Sequence, residues 1–348
     1  MITPPAVPAT RPGCLADCVL MVRPVDFRYN DETGQDNEFQ QAPRMSNEEL
    51  NAVVMAEFAG MVEVLRDEDI DVLVLEKNRG IVVETPDAVF PNNWFSTEHD
   101  GTLIFYPMLA ENRRAEKRVI DVEDLLVRRC YCVRNLINIG YYRRQQPALE
   151  GTGAMVIDHS EEIVYAAESL RCDPGQFKNF LHARHYREGI LFRTASSTGR
   201  PIYHTNVMLS IGDHYAVVCS EAIPDEAERN EVLERLGRAH HVIEISMEQM
   251  EKHFCGNILQ LRNRAGEPLT VMSARAYEGF TEAQRADLVR CGRLVTVEIP
   301  TIEEVGGGSA RCMMAEIFLP RHEPAELTLV EPEEAPREEH LRRETPAV

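Results

Sequence analysis

Cys312 closes a glycine-rich stretch near the end of the chain, where Gly306 to Gly308 precede Ser-Ala-Arg-Cys. A phosphate-binding loop needs Lys and then Ser or Thr after its last glycine, and that pair is missing. A dinucleotide-binding loop needs a helix after the glycines, whereas the apolar residues 313–319 are typical of a strand. Glycines let the backbone approach a substrate closely, and a cysteine thiolate is a nucleophile. The stretch therefore favours a presented thiol, with a flexible turn as the alternative.

A nucleophilic cysteine needs a histidine as its base and a carboxylate to orient that histidine. Two stretches offer these groups: His204 lies in "IYHTNVMLSIG" (202–212), and Glu150 precedes Gly-Thr-Gly in "LEGTGAMVID" (149–158). A third stretch, "TPDAVFPNNWFS" (85–96), holds Asp87, Asn92 and Asn93. Active sites often lie where a strand meets a turn, but Gly, Asn and Asp are also the common turn residues. The spacing alone leaves both a catalytic and a structural role open.

The histidines do not predict a metal site. His182 and His185 are three apart on a predicted helix, and His240 and His241 are adjacent. Neither pair has cysteines or carboxylates at ligand spacing. Exposed helix histidines are the better interpretation, so no metal is predicted.

These residues must be positioned by alternating strands and helices. Apolar runs predict strands at 71–76, 102–106, 154–158, 163–167, 214–220 and 294–299. Helices are predicted at 121–129, 175–187, 225–238, 281–291 and 47–69, the last opened by a capping box of Ser46 and Glu49. Arg113 and Arg114 are predicted to begin a helical region and to form only surface ion pairs. Hairpin-like strand pairs, each followed by a helix, predict an α/β fold with a radial arrangement rather than a doubly wound sheet.

Composition excludes several classes of partner. The 57 acidic and 37 basic residues give a net charge of −20, which repels nucleic acid and anionic membranes. No apolar run approaches the roughly 18 residues of a membrane span, and the N-terminus does not resemble a secretory signal. The nine cysteines are odd in number and contain no Cys-x-x-Cys pair, which predicts reduced thiols in a cytoplasm.

The chain is predicted to form one domain, 14–322, with two irregular ends. Residues 1–13 contain four prolines and are predicted to be a flexible arm. Residues 323–348 are dominated by Glu, Arg and Pro, which predicts a disordered tail. The sequence does not fix the oligomeric state and is compatible with a homodimer.

Taken in order, several stretches resemble the guanidine-modifying superfamily of amidinotransferases, also called penteins. The match is closest to its arginine-deiminase-related branch, the citrulline-utilisation hydrolases. The stretches are "MVRPVDFRYNDETGQDNEFQ" (21–40), "FPNNWFSTEHDGTLIFYPMLAENRRAEKR" (90–118), "YHTNVM" (203–208) and "GGGSARCMMAEIFLP" (306–320). The resemblance implies a five-bladed, pseudo-symmetric α/β-propeller with the active site on its central axis. It also implies a hydrolase of a small amino acid that needs no metal or organic cofactor.

The resemblance also implies roles for single residues. Cys312 matches the nucleophile, His204 the general acid and base, and Glu150 the carboxylate that supports the histidine. Asp87 matches a carboxylate that contacts the terminal nitrogens of the substrate. Arg171 matches an arginine often found near the substrate carboxylate, although a cysteine follows it where relatives have threonine.

Asparagines replace the acidic residues of this pattern and change the predicted substrate. Asn92 and Asn93 stand where guanidine hydrolases carry acidic residues, and Asn206 where arginine deiminase carries one. Buried carboxylates pair with a cationic guanidinium, whereas amides match a neutral ureido group, which has a carbonyl acceptor. The sequence thus predicts hydrolysis of citrulline to ornithine, carbon dioxide and ammonia through a covalent Cys312 intermediate.

Three alternatives stay open at this point. The asparagines could be turn residues that never touch the substrate. The enzyme could be a guanidine hydrolase or amidinotransferase, similar to arginine deiminase or dimethylarginine dimethylaminohydrolase. Finally, the chain could be a non-catalytic amino-acid-binding propeller, although a binding protein would not need the thiol.

Overall fold

The computed structural model describes residues 13–77, 83–139 and 147–322. The predicted arm, apart from Gly13, and the predicted tail lie outside these residues, and the domain boundaries stay a prediction. Within the described part, no helix is long and apolar enough to cross a membrane.

The helices lie close to their predicted positions. The five predicted helices are present with ends that differ by no more than three residues, and Ser46 and Glu49 form the predicted capping box. The helices are α1 (Asn47–Asp67), α2 (Glu111–Arg114), α3 (Val119–Arg128), α4 (Gly151–Ala154), α5 (Pro174–Arg184), α6 (Glu226–Gly237), α7 (Met247–His253), α8 (Ala274–Gly279), α9 (Glu282–Cys291) and α10 (Pro300–Gly306).

The strands confirm the predictions from apolar runs, because all six predicted strands are present with ends that differ by no more than two residues. The strands are β1 (Cys18–Val22), β2 (Asp71–Leu75), β3 (Phe95–Thr97), β4 (Thr102–Phe105), β5 (Asn135–Asn138), β6 (Met155–Asp158), β7 (Ile163–Ala167), β8 (Glu188–Phe192), β9 (Leu209–Ile211), β10 (Tyr215–Val218), β11 (His241–Glu244), β12 (Leu259–Arg262), β13 (Pro268–Ser273), β14 (Arg293–Val297) and β15 (Ala315–Glu316).

The described strands form five three-stranded sheets built on one plan. In each sheet the first strand pairs antiparallel with the middle strand, a helix follows, and the third strand pairs parallel with the middle one. One sheet joins the two ends of the chain, because β15 pairs with β1, which in turn pairs with β2. Five similar units closed in this way confirm the predicted α/β class and its radial arrangement.

The predicted strand after Cys312 is mostly wrong. Gly306 ends α10, and Gly307 follows in the left-handed conformation with φ of 64°, which is a common end of a helix. Residues Ala310–Met313 then form a 3₁₀ turn, and only the two-residue strand β15 follows. The glycines therefore end a helix and lead into a tight turn that contains Cys312.

Candidate active site

A tight turn or short loop precedes the first strand of each sheet, and these five turns carry most of the candidate residues. Their residues are Asn92 and Asn93 before β3, Glu150 before α4 and β6, His204 and Asn206 before β9, Asn257 before β12, and Cys312 before β15. Helix α4 packs against the turns before β3 and β9, and the turn before β3 packs against the turn of Cys312. The fold thus brings together residues that are far apart in sequence.

The Cys312 thiol is buried, with 3% of the residue exposed. Its Sγ accepts hydrogen bonds from the side-chain amides of Asn257, at 3.2 Å, and Asn206, at 3.4 Å. Burial raises the pKa of the Cys312 thiol, and the hydrogen bond from Asn257 opposes this rise. Sequence reasoning predicted Asn206 near the site but missed Asn257.

His204 and Glu150 form a buried pair, with 2.8 Å between His204 Nε2 and Glu150 Oε2. Burial alone would raise the pKa of Glu150, but Arg171 and His204 lower it to about 2. Burial lowers the pKa of His204 to about 4, against the attraction of Glu150. Near neutral pH the carboxylate is therefore charged and the imidazole neutral. A charged carboxylate accepts a hydrogen bond, so Nε2 carries the proton and Nδ1 has a free lone pair.

Arg113 is wholly buried, so its predicted place on the surface is wrong, whereas Arg114 is exposed as predicted. The Arg113 guanidinium pairs with Glu116, at 2.9 Å, and lies 3.8 Å from both Asp87 and Glu150. Burial opposes its charge, but these carboxylates raise the pKa of Arg113. The cation lies among three buried carboxyl groups and offsets the negative charge that they carry.

Arg113 also fixes the orientation of two asparagine amides. A guanidinium has only donors, and its Nη1 donates to Asn93 Oδ1 at 2.8 Å. Asn93 Nδ2 then donates to Asn92 Oδ1 at 3.0 Å. Asn92 is fully buried, and its Nδ2 has no hydrogen-bond partner among the described residues. The chain of hydrogen bonds therefore leaves one N–H donor group of Asn92 available.

Asp87 supplies a free acceptor in the same region. Its Oδ2 accepts hydrogen bonds from Asn30 Nδ2, at 2.8 Å, and Thr33 Oγ1, at 2.9 Å. Its Oδ1 is buried and has no partner in the described part of the chain. Buried polar atoms are normally paired, so a free donor and a free acceptor together indicate a place for a polar ligand.

Arg171 makes most of its contacts with other side chains of the protein. Its Nε and Nη2 bind the carboxylate of Asp36 at 2.8 and 2.6 Å, and its guanidinium carbon lies 4.9 Å from the ring centre of Tyr203. Nη1 lies 3.6 Å from Glu150. Arg171 thus ties the segment of Asp36 to Glu150, and the predicted contact with a substrate carboxylate stays a prediction that would depend on Nη1.

The histidines outside this site agree only in part with their predicted surface positions. His182 and His185 are exposed at α5, as predicted. His240 is instead buried after α6, with its Nε2 2.7 Å from Asp158. In the described ranges, no group of three or more His, Cys, Asp and Glu side chains could hold a metal ion.

A protein-family model matches most of this chain. The family model described as N,N dimethylarginine dimethylhydrolase, eukaryotic, matches residues 23–319. No curated protein matches the sequence.

Solved structures share the fold at low sequence identity. The cyanobacterial arginine dihydrolase ArgZ superposes with a TM-score of 0.64 at 12% identity, over 88% of this chain and 41% of ArgZ. Its substrate-bound N-terminal domain matches with a TM-score of 0.62 at 14% identity, over 86% of this chain and 97% of the domain. The dimethylarginine dimethylaminohydrolase (DDAH) of Pseudomonas aeruginosa, complexed with citrulline, gives 0.61 at 15% identity, over 87% of this chain and 100% of that one. These similarities confirm the predicted five-bladed pentein fold, and the chain spans less than half of full-length ArgZ.

Proposed function

The chain belongs to the N,N dimethylarginine dimethylhydrolase family of arginine-modifying hydrolases, and we propose that it hydrolyses citrulline to ornithine, carbon dioxide and ammonia. The observation that carries this proposal is the pair of free polar atoms, the donor Asn92 Nδ2 and the acceptor Asp87 Oδ1. A ureido group offers a carbonyl acceptor to the first and an N–H donor to the second.

A guanidinium would satisfy only one of these two atoms. It has N–H donors but no acceptor, so Asn92 Nδ2 would stay buried without a partner. Leaving a buried donor unpaired costs about 1–3 kcal/mol. Rotating the Asn92 amide would not remove this cost, because its Oδ1 already accepts from Asn93, whose own orientation is fixed by Arg113. The hydrogen bonds behind Asn92 therefore favour a neutral ureido substrate.

The reaction would begin with transfer of the Cys312 proton to Nδ1 of the neutral His204. The thiolate would attack the ureido carbon while Asn92 Nδ2 stabilises the negative charge that develops on the carbonyl oxygen. The bond from this carbon to the side-chain nitrogen of citrulline would break, and His204 would return the proton to the leaving amine. Ornithine would leave, and a carbamoyl group would remain on Cys312.

The second half-reaction would consume one water molecule. His204 would take a proton from this water, the resulting hydroxide would attack the carbamoyl carbon, and the bond to sulfur would break. Cys312 would regain its proton, and the released carbamic acid would decompose to carbon dioxide and ammonia. Throughout, the charged Glu150 would hold His204 in the required tautomer and stabilise its cationic form.

A guanidine substrate such as arginine is the second candidate. The free Asp87 Oδ1 would accept a guanidinium N–H as readily as a ureido one, and the charged Glu150 adds negative charge nearby. The similar ArgZ is an arginine dihydrolase, and the similar P. aeruginosa DDAH was solved with citrulline. The charge of the site thus favours arginine, and its hydrogen-bonding pattern favours citrulline.

Product analysis with citrulline and arginine, each with wild-type protein and Cys312→Ala, tests the proposal. Ornithine from citrulline but not from arginine, lost in the variant, is the expected result. Turnover of arginine alone would overturn the substrate assignment but keep the thiol mechanism. Turnover of neither would favour a different substrate or the non-catalytic binding protein.

A further inference from the structure

The side chain of Asn257 makes three hydrogen bonds that join the nucleophile to a neighbouring turn. Its Nδ2 donates to Cys312 Sγ at 3.2 Å and to the backbone carbonyl of Asn206 at 2.8 Å. Its Oδ1 accepts from the backbone N–H of Cys312 at 3.3 Å. The side chain is fully buried, so this amide contacts both the sulfur and the backbone of the same cysteine.

The position of Asn257 is fixed by its surroundings. Its backbone N–H donates to the carbonyl of Phe254 at 2.8 Å. The preceding Gly256 lies so close to the turn before β9 that an added Cβ would collide with the carbonyl oxygen of Val207. The amide orientation is fixed as well, because Oδ1 faces an N–H donor and Nδ2 faces a carbonyl. An N–H group is therefore held against the sulfur before any substrate binds.

We propose that Asn257 is a catalytic residue that stabilises the Cys312 thiolate by donating a hydrogen bond to its sulfur. This inference rests on the proposed function only in taking Cys312 as the nucleophile, whatever the substrate. Before it takes the Cys312 proton, His204 is neutral near pH 7 and its Nε2–H donates a hydrogen bond to Glu150, so the resting imidazole adds no positive charge beside the sulfur. A hydrogen bond from a fixed amide supplies part of what an imidazolium supplies in other cysteine enzymes.

Other groups around the sulfur bear on its ionisation. The charge of Arg311 favours the thiolate, and Asn206 donates a second hydrogen bond at 3.4 Å. Tyr203 also lies close enough to interact electrostatically with the sulfur. Burial raises the pKa of its hydroxyl, so Tyr203 is neutral at the pH of the experiment. Substitutions at Asn257 leave the side chains of Arg311, Asn206 and Tyr203 unchanged, so differences among the variants report the group at position 257, including its bond to the Asn206 carbonyl.

The test is the pH dependence of Cys312 alkylation by iodoacetamide, followed by mass spectrometry of the Cys312 peptide. Asn257→Asp keeps the size and the acceptor for the Cys312 N–H but replaces the donor with a carboxylate. Asn257→Ser keeps a weaker donor on a shorter side chain. Asn135→Asp, on the exposed face of β5, adds the same charge away from the site.

We expect the alkylation rate at pH 8 to fall about tenfold or more in Asn257→Asp, with its midpoint moved to higher pH, because the donor is lost and a carboxylate lies beside the sulfur. Asn257→Ser adds no charge, so its midpoint reports the weakened donor by itself. Asn257→Ser should lie between this variant and wild type, and Asn135→Asp should match wild type. Circular dichroism checks folding, and if Asn257→Asp does not fold, Asn257→Ser decides alone. Unchanged midpoints in folded variants would overturn the proposal.

A second measurement does not depend on how fast a reagent reaches the buried thiol. The far-ultraviolet absorbance of the thiolate is titrated with pH in each protein and in the same protein carrying Cys312→Ala, and the difference reports Cys312 alone. A midpoint raised by Asn257→Asp supports the proposal, and an identical midpoint contradicts it. Neither measurement uses a substrate, so failure of the citrulline assignment would leave the result unaffected.

Discussion

At the scale of single residues, the substrate preference depends on which atom Asn92 offers. Its free Nδ2 follows from two hydrogen bonds that start at the Arg113 guanidinium. A buried cation thus determines that a neutral asparagine acts as a donor. The free Asn92 Nδ2 would pair with a carbonyl oxygen of a planar substrate but not with an N–H group in the same place, because two donors cannot form a hydrogen bond.

Asn92→Asp should change this preference. The carboxylate removes the donor to the ureido oxygen, so kcat/KM for citrulline should fall about 100-fold, as when an oxyanion donor is lost. Arginine turnover should fall less or rise, because a carboxylate pairs with guanidinium. Steady-state kinetics with both substrates measure the ratio, with Asn138→Asp on β5 as the isosteric control. An equal loss for both substrates would show that Asn92 does not discriminate between them.

Sequence reasoning predicted the nucleophile, the histidine and the carboxylates, whose roles stay predictions, but it placed Arg113 wrongly. Arg113 and Arg114 are identical neighbours at the end of the short α2, yet one is buried and the other exposed. A four-residue helix has no periodic pattern from which the buried face can be predicted. The partners of Arg113 include Asp87 and Glu150, which only the fold brings near.

At the scale of elements, the site is a set of equivalent turns, each placed before the first strand of a sheet. "NWFS", "NVMLS" and "NILQL" share an asparagine followed by apolar residues at three of these positions. This weak internal repeat is the signal that could have identified Asn257. It is hard to recognise from sequence because the turns before β6 and β15 lack the asparagine.

Gly153 in α4 is required for these turns to pack together. An added Cβ would collide with Asn93 Nδ2 and lie 2.9 Å from His204 Nδ1. Gly153→Ala should therefore displace both side chains and lower kcat by about tenfold or more, since catalysis is sensitive to such shifts.

The matched control is Gly60→Ala in α1, where an added Cβ meets nothing within 4 Å. Alanine favours the helical backbone, so this change should raise the free energy of unfolding by about 0.5–1 kcal/mol and leave kcat unchanged. Kinetics and urea unfolding of both variants test the pair. Full activity in Gly153→Ala would show that α4 does not position the site.

At the scale of the whole molecule, the buried charges should make folding sensitive to acid. The pKa of His204 falls from 6.5 to about 4 on folding, so below pH 6.5 the unfolded state binds the proton first. This group should therefore cost about 2 kcal/mol of unfolding free energy between pH 7 and pH 5. Glu150, with a pKa of about 2 in the folded state, adds a further loss below its ordinary value of 4.5.

Urea unfolding of wild type and His204→Asn at pH 7 and pH 5 measures this difference. The variant should lose about 2 kcal/mol less than wild type over this range. Burial raises the pKa of Glu116 to about 8, so this group increases the free energy of unfolding as the pH falls from 7 to 5. Glu116 is present in both proteins, so its contribution cancels in the difference between them. His182→Asn, at an exposed position, is the control. Equal acid losses in all three proteins would rule out His204 as the source.

The most direct test of the central claim is to identify the covalent adduct on Cys312. Protein mixed with citrulline and quenched in acid should carry a carbamoyl group on the Cys312 peptide by mass spectrometry. Cys312→Ala should carry none, and arginine should give no adduct. An amidino adduct from arginine without a carbamoyl adduct from citrulline would contradict the ureido assignment, and an adduct on another residue would contradict the assignment of Cys312 as the nucleophile.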